Sequence, residues 1–327
     1  MVPEFAQQLL NESSLYQGIM MLLVSLLLAR LASPPREFQP IVWFGLLAKE
    51  LAKKVVHSNR SPSQQIIAGA MAAILLILPF WAIIYFLLQL AAFPWFFEFV
   101  ILYICLHDDN FKLVAGEVKQ ALNREDKTCA RHLLSLWLYR DTKQLSSVGI
   151  CKATIEKLVT TPVYGTVSTI LFFSIGGAPL VLAARMIKTL ELCWPAINPK
   201  FKHFGQPINL LSAALFFIPS WLWNFTLAIQ GGPKSILLLF KPLSNDGPLY
   251  NCIKTCATTA SVLKVELGGP MKFNNQRVEV TKLIYGPKPD SRAITAAIKL
   301  ASTASTIWLS FLVLIPLIWA ALRYLQT

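Results

Sequence analysis

From Ile66 to Leu90 the chain runs without a single charged side chain, and that stretch fixes the solvent in which it folds. At about 1.5 Å of rise per residue, roughly 20 apolar residues carry a helix across the hydrocarbon core of a bilayer, so this block spans unaided. Similar apolar blocks cover about 17–32, 91–106, 163–184, 208–229 and 307–325. Composition agrees: 14% of the residues are charged, against about a quarter in an ordinary soluble domain. The sequence therefore predicts an all-α, polytopic helical integral membrane protein with helical cytoplasmic lobes. It forms a single membrane domain over 1–327, with soluble lobes at 107–162 and 230–306. Disorder is excluded by the quantity of apolar surface. Block 17–32 is not read as a signal peptide, because Glu4 and Glu12 precede it in place of a basic segment. Block 91–106 carries Pro94 and Glu98, which favour a tight re-entry or a tilted helix. In block 163–184, Gly176-Gly177 and Pro179 permit a re-entrant element instead of a straight crossing.

Charge sets the orientation. Lys and Arg number 30 against 17 Asp and Glu, a formal net charge of +13. Segment 107–165 holds nine basic and seven acidic residues, and segment 230–306 holds ten and four. Segment 33–65 holds Arg36, Lys49, Lys53, Lys54 and Arg60 against Glu37 and Glu50. Six spans place all three segments on one side, the cytoplasmic side of a bacterial inner membrane by the positive-inside rule. The basic surplus then answers to lipid headgroups. No interleaving of basic and aromatic residues or zinc-finger spacing points to nucleic acid.

Within the lobes, Leu113, Val114, Val118, Ala121 and Leu122 recur at helical spacing, Ser146 or Ser147 is placed to cap a further helix, and Tyr250–Val265 reads as another. Asp246-Gly247-Pro248, Gly268-Gly269-Pro270 and Gly286-Pro287 are turn signals. The chain from Asp290 into the last apolar block is compatible with one continuous helix. Cys252 and Cys256 share a helix face, and no Cys-x-x-Cys occurs.

Three stretches form a recognisable order. They are Leu138-Tyr139-Arg140-Asp141-Thr142-Lys143-Gln144-Leu145 followed by Glu156; Gly176-Gly177-Ala178-Pro179-Leu180 followed by Thr189-Leu190-Glu191; and Asn251 followed by Leu267-Gly268-Gly269-Pro270. Together they resemble the adenosylcobinamide-phosphate synthase (CobD/CbiB) family of cobalamin biosynthesis, over about Trp43 to Pro270. The resemblance implies a multispan inner-membrane ATP-dependent carboxylate–amine ligase, joining adenosylcobyric acid to an aminopropanol or its phosphate. ATP and Mg are the implied cofactors; the bilayer, a corrinoid substrate and other cobalamin-assembly proteins are the implied partners. Carried onto this sequence, it assigns catalysis to Arg140, Asp141 and Glu156, with Asp141 and Glu156 holding Mg. It assigns substrate binding to Thr142, Arg185, Lys188, Glu191, Asn251, Gly268 and Gly269.

The residues also admit plainer readings. Arg140-Asp141-Thr142 fits a salt-bridged helix end with a local cap. Arg185 and Lys188 fit an interfacial role beside lipid headgroups, and Gly268-Gly269-Pro270 fits a turn that lacks the spacing of a P-loop. The sequence departs from the family pattern at several polar positions. Gln39 stands for a His, Val42 for an Arg, Thr160 and Thr161 for a Glu-Asn pair, and Tyr164 for an Asp. Arg185 stands for a Lys, Lys188 for an Asn and Glu191 for an Asp. Leu210, Ser212 and Ala213 stand for an Arg and two Asp, and Cys256 for a Glu. The alternative to the ligase is thus a non-catalytic, AmpE-like regulatory or scaffold membrane protein.

Overall fold

The computed structural model describes residues 13–31, 39–57, 59–106, 111–242, 247–273 and 275–325. Glu4, Glu12, Arg36, Glu37 and Asp246 lie outside these. The helices are α1 (Ser13–Leu31), α2 (Pro40–Val55), α3 (Pro62–Leu90), α4 (Pro94–Cys105), α5 (Phe111–Asn123), α6 (Lys127–Ser135), α7 (Ser147–Pro162) and α8 (Ser168–Cys193), with a π-helical turn at Val163–Val167. They continue as α9 (Gln206–Leu215), α10 (Phe217–Gln230), α11 (Pro233–Leu239), α12 (Tyr250–Leu263) and α13 (Ser291–Tyr324). Local chemistry sets several starts. Proline occupies the first turn of α2, α3 and α4, where a missing N–H costs nothing. Ser61 and Gln64 form a reciprocal capping box on α3, and Ser146 accepts from Gly149 N–H to cap α7.

The body is all-α and spans the membrane several times. Among the described residues, the helical stretches 62–90, 147–193 and 291–322 are long and apolar enough to cross. The middle stretch does not run straight. Its helical geometry breaks at Gly176 (φ −143°, ψ 21°) and Gly177 (φ 65°, ψ −165°). Lys188 Nζ lies 3.6 Å from the centroid of the Tyr164 ring. In a straight helix residues 24 apart are separated by about 36 Å, so the chain turns back at the glycines. Block 163–184 is therefore a helical hairpin, with an outbound arm to Ile175 and a return arm from Ala178, and not one straight helix. The turn itself is only partly covered, with Gly176 exposed and Gly177 half-buried, whereas the arms on either side of it are packed. Here Ile170 and Phe172 of the outbound arm and Val181 and Ala184 of the return arm share a core with Leu22 and Leu26 of α1 and Leu102 of α4. Trp81 Nε1 of α3 donates to Pro179 O at 2.9 Å, fixing the return arm just after the turn.

Block 208–229 is likewise divided, with α9 and α10 meeting at a 53° bend. Pro219 has no N–H to offer Leu215 O, so the ladder fails one turn earlier, at Phe216. Block 91–106 becomes α4, 12 residues long.

Segments 107–162 and 230–306 build one lobe. Phe111, Ala115 and Val118 of α5, Ile150 and Ile155 of α7, Cys256 and Ala260 of α12, and Ile294 and Ala297 of α13 form its core. The last apolar block is the continuation of that same α13, so one helix serves both lobe and membrane. The turn-rich stretch contains two antiparallel ribbons: β1 (Glu266–Gly268) pairs with β4 (Lys282–Ile284), and β2 (Met271–Phe273) pairs with β3 (Gln276–Val278).

Candidate functional site

The site lies where the hairpin meets the lobe. On the lobe side, the loop before α7 delivers Arg140, whose Nη2 donates to Glu156 Oε2 at 2.9 Å. Gly268 N–H donates to Glu156 Oε1, also at 2.9 Å, so both carboxylate oxygens have donors. The paired side chains are 14% and 10% exposed, which makes the contact a shielded one. Asp141 N–H donates to Lys272 O, and Asp141 Oδ2 accepts from Asn275 N–H at 2.7 Å. Thr142 Oγ1 donates to Arg131 O at 3.2 Å. Asp141 and Thr142 thus stitch the Arg140 loop to the β2–β3 ribbon and to α6. Lys152, one helical turn before Glu156, pairs with Glu266 and donates to Gly268 O. That hydrogen bond from Lys152 holds the Glu266 carboxyl below its ordinary value. Arg140, Asp141, Lys143, Lys152, Glu156, Lys272 and Arg277 line a cavity of about 660 Å³ together with Gly268 and Gly269.

The glycines are needed for the ribbon. Gly268 has φ 67°, and a Cβ there would lie 2.4 Å from Thr281 O. Gly268 N–H serves Glu156 and Gly269 N–H donates to Thr281 O. Both amides are therefore committed to partners inside the protein in this arrangement.

On the hairpin side, Glu191 Oε2 accepts from Lys188 Nζ at 2.8 Å and from Ser212 Oγ of α9. Lys188 also sits on the face of Tyr164, a cation–π contact strengthened by removal from water. Asn251 Nδ2 donates to Ala213 O at 2.9 Å, tying the start of α12 to α9. Thr160, Tyr164, Arg185, Lys188, Glu191, Ser212 and Asn251 line an inner cavity of about 150 Å³. A third space, about 170 Å³, is lined by Arg140 and Glu156 from one cluster and by Thr160, Glu191 and Cys252. The reversal at Gly177 is what brings Glu191 to the level of Glu156. Within α12, the Cys256 thiol donates to the Cys252 sulfur, which lowers the Cys252 value and raises that of Cys256.

Nine of the ten residues expected from sequence therefore line one connected region, and Thr142 supports its loop. Lys152, Tyr164 and Cys252 were not among them. Lys152 was discoverable by its spacing of four from Glu156 on one helix face; the Tyr164–Lys188 contact depends on the hairpin.

The pair assigned to Mg does not fit a resident cation. Both Glu156 oxygens are occupied by protein donors, and among the described residues no group of three His, Cys, Asp or Glu side chains is placed to hold a metal.

The model of the CobD/Cbib protein family matches residues 22–301. The chain belongs to the CobD/Cbib family. It is similar to "Cobalamin biosynthesis protein CobD" of Stutzerimonas stutzeri, 29% identical over 289 residues, 87% of this chain and 93% of that one. The protein of the same name from Chromobacterium violaceum is 27% identical over 288 residues, 87% and 92% of the two chains. "Cobalamin biosynthesis protein CbiB" of Salmonella typhimurium is 24% identical over 286 residues, 84% and 89%. No solved structure matches. In this CobD/Cbib protein eight of the twelve positions where the sequence departs from the expected pattern converge in space, while Gln39, Val42, Leu210 and Cys256 lie outside that group. Thr160, Thr161, Tyr164, Arg185, Lys188, Glu191, Ser212 and Ala213 all line the inner cavity.

Proposed function

We propose that this CobD/Cbib membrane protein is an adenosylcobinamide-phosphate synthase-type ligase that forms an amide between adenosylcobyric acid and an aminopropanol or its phosphate. The observation that supports this best is the convergence of Arg140, Glu156, Lys188, Glu191 and Asn251 on adjoining cavities from segments more than 100 residues apart. Amide formation from a carboxylate needs an activated, anionic leaving group and an acceptor for the amine's proton. ATP supplies the phosphoryl group for that activation. Arg140, oriented by Glu156, stabilises the anionic leaving group, with Lys152 and Lys272 in the same cavity wall. Glu191, positioned by Lys188 and Ser212, is the carboxylate nearest the inner space and accepts the amine's proton. Asp141 orients the Arg140 loop through Asn275.

The scaffold reading has its own supporting observation. The inner cavity presents hydroxyl, aromatic and apolar groups at Thr160, Tyr164, Ser212 and Ala213, and its carboxylate Glu191 is already ion-paired. Cobalamin-dependent growth separates the two. In a bacterium that lacks its own synthase and is fed cobyric acid, the ligase restores growth and its Arg140→Ala variant does not. Absence of rescue, with the protein shown in the membrane, overturns the ligase in favour of the scaffold.

A further inference from the structure

The space of about 170 Å³ between the two clusters has walls in common with three other cavities. It shares Arg140 and Glu156 with the cationic cavity of about 660 Å³. It shares Thr160, Glu191 and Cys252 with the inner cavity of about 150 Å³. It shares Leu138, Tyr139, Leu192 and Pro195 with a fourth cavity of about 790 Å³, between α2, the return arm of α8 and the loop of residues 135–139. The three outer cavities differ in chemistry. Arg140, Lys143, Lys152, Lys272 and Arg277 give the first a wall suited to phosphates. The fourth has a largely apolar wall, with Ile41, Val42, Leu46, Leu136 and Phe201, and a few polar groups such as Gln39 and Asn198. That composition, in a volume between about 300 and 1,000 Å³, is the usual form of a pocket for an organic ligand. No carboxylate among the described residues lines it, so an acid bound there meets no like charge in the wall. The inner cavity falls below that size range and has room for only a few heavy atoms.

We infer that the 790 Å³ cavity holds the body of the acid substrate, whose carboxyl passes Tyr139 into the central space, and that the inner cavity holds the three-carbon amine. This inference rests on the ligase reading and fixes which substrate lies where. Size decides between the cavities: the macrocycle of adenosylcobyric acid cannot enter 150 Å³, and an aminopropanol leaves most of 790 Å³ unfilled. Reach decides the meeting point. The carboxyl must come within range of the side chains that handle phosphate and of the amine, and the central space borders the cavities of both. A macrocycle in the 660 Å³ cavity would instead exclude phosphates from Arg140, Lys152 and Lys272. Tyr139 stands at the boundary between acid body and carboxyl, and Lys49 of α2, 5.3 Å from its ring centroid, links the two walls there. Tyr139 is thus a positioning residue for the acid.

The full chain in mild detergent is dialysed against cobyric acid, and bound corrinoid is read by its own visible absorbance, without turnover. Leu46→Trp sets an indole at the edge of the cavity, on a position already 54% exposed, and weakens binding about tenfold by overfilling it. Tyr139→Ala weakens binding about fivefold, the worth of one ring contact. Leu47→Trp, the same change at the next residue of α2, 49% exposed and outside the cavity, leaves binding unchanged. In turnover, Leu46→Trp raises KM for the acid and not KM for the aminopropanol. Equal binding of cobyric acid by wild type, Leu46→Trp and Tyr139→Ala overturns the placement while the ligase reading stands. Equal weakening by Leu46→Trp and Leu47→Trp overturns it too, because the cavity is then not the cause. Absence of cobyric acid binding also overturns the placement; cobalamin-dependent growth restored by the same chain then preserves the ligase, and growth not restored sinks both.

Discussion

Gly177→Ala probes the reversal that assembles the site. Gly177 has φ 65° and ψ −165°, a conformation that is nearly glycine-only and costs an L-residue about 1–3 kcal/mol. Space is not the obstacle: an added Cβ would find Pro179 Cδ at 3.6 Å and Glu98 Oε1 at 3.8 Å, both ordinary contacts. The penalty is therefore one of backbone, reduced by the smaller entropy of the unfolded alanine chain, about 0.4–1 kcal/mol. The net expectation is a loss of about 1–2 kcal/mol. Gly116→Ala is the matched control. Gly116 lies inside α5, and a Cβ there meets nothing within 4 Å, so alanine stabilises by about 0.5–1 kcal/mol. Denaturant midpoints of the two variants in mild detergent should move in opposite directions. A second arm reads geometry directly: cysteines placed at Tyr164 and Lys188 should join through a short bifunctional maleimide. A neutral or stabilising Gly177→Ala, together with no cross-link, refutes the hairpin and restores a straight crossing.

Other consequences are equally accessible. Arg140→Ala leaves Glu156 shielded with only the Gly268 N–H, and should cost about 3 kcal/mol. Adding Glu156→Gln should recover most of that loss in the same unfolding assay, because a neutral amide oxygen still accepts from Gly268. Glu266, held below its ordinary carboxylate value of 4.5 by Lys152, stabilises the folded state above 4.5. That contribution disappears as the pH falls through the lower folded value. The acid limb of the unfolding profile should be shallower in Glu266→Gln. Among the cysteines, exposed Cys129 should react first with maleimide and Cys252 second. Cys151, whose thiol burial pushes up to about 11, should stay unlabelled until the lobe unfolds; early labelling of Cys151 by peptide mass mapping would contradict the lobe core.

Much of the membrane body was legible because lipid imposes simple rules. The uncharged run 66–90 is α3, and the suggested continuity from Asp290 into the last block is α13. The pattern of apolar blocks alone did not separate a span from a hairpin. The Gly176-Gly177 and Pro179 signal allowed both, and only the contact of Lys188 with Tyr164 decides. The bend at Phe216 had a weaker signal, Pro219, placed where it also fits a helix first turn. The ribbons escaped notice because three-residue strands carry no readable alternation. The site shows the same division. Arg140 and Glu156 lie near one another in sequence, and their pairing follows from a loop folding onto α7. Glu191 lies beyond block 163–184 in sequence, and its arrival beside Ser212 depends on tertiary structure.

The dual character of α13 has a bearing on biosynthesis. Ile294 and Ala297 complete the lobe core that Phe111 and Ala115 begin. Those partners are separated by about 180 residues of chain, much of which must first enter the bilayer. On the ribosome, α5–α7 therefore emerge long before the surface that covers them. Until α13 arrives, that half-lobe exposes apolar faces to water. Lobe closure is then a late event, coupled to insertion of the last apolar block, and truncations before residue 291 should yield chains that are membrane-integrated yet sensitive to protease across α5–α7.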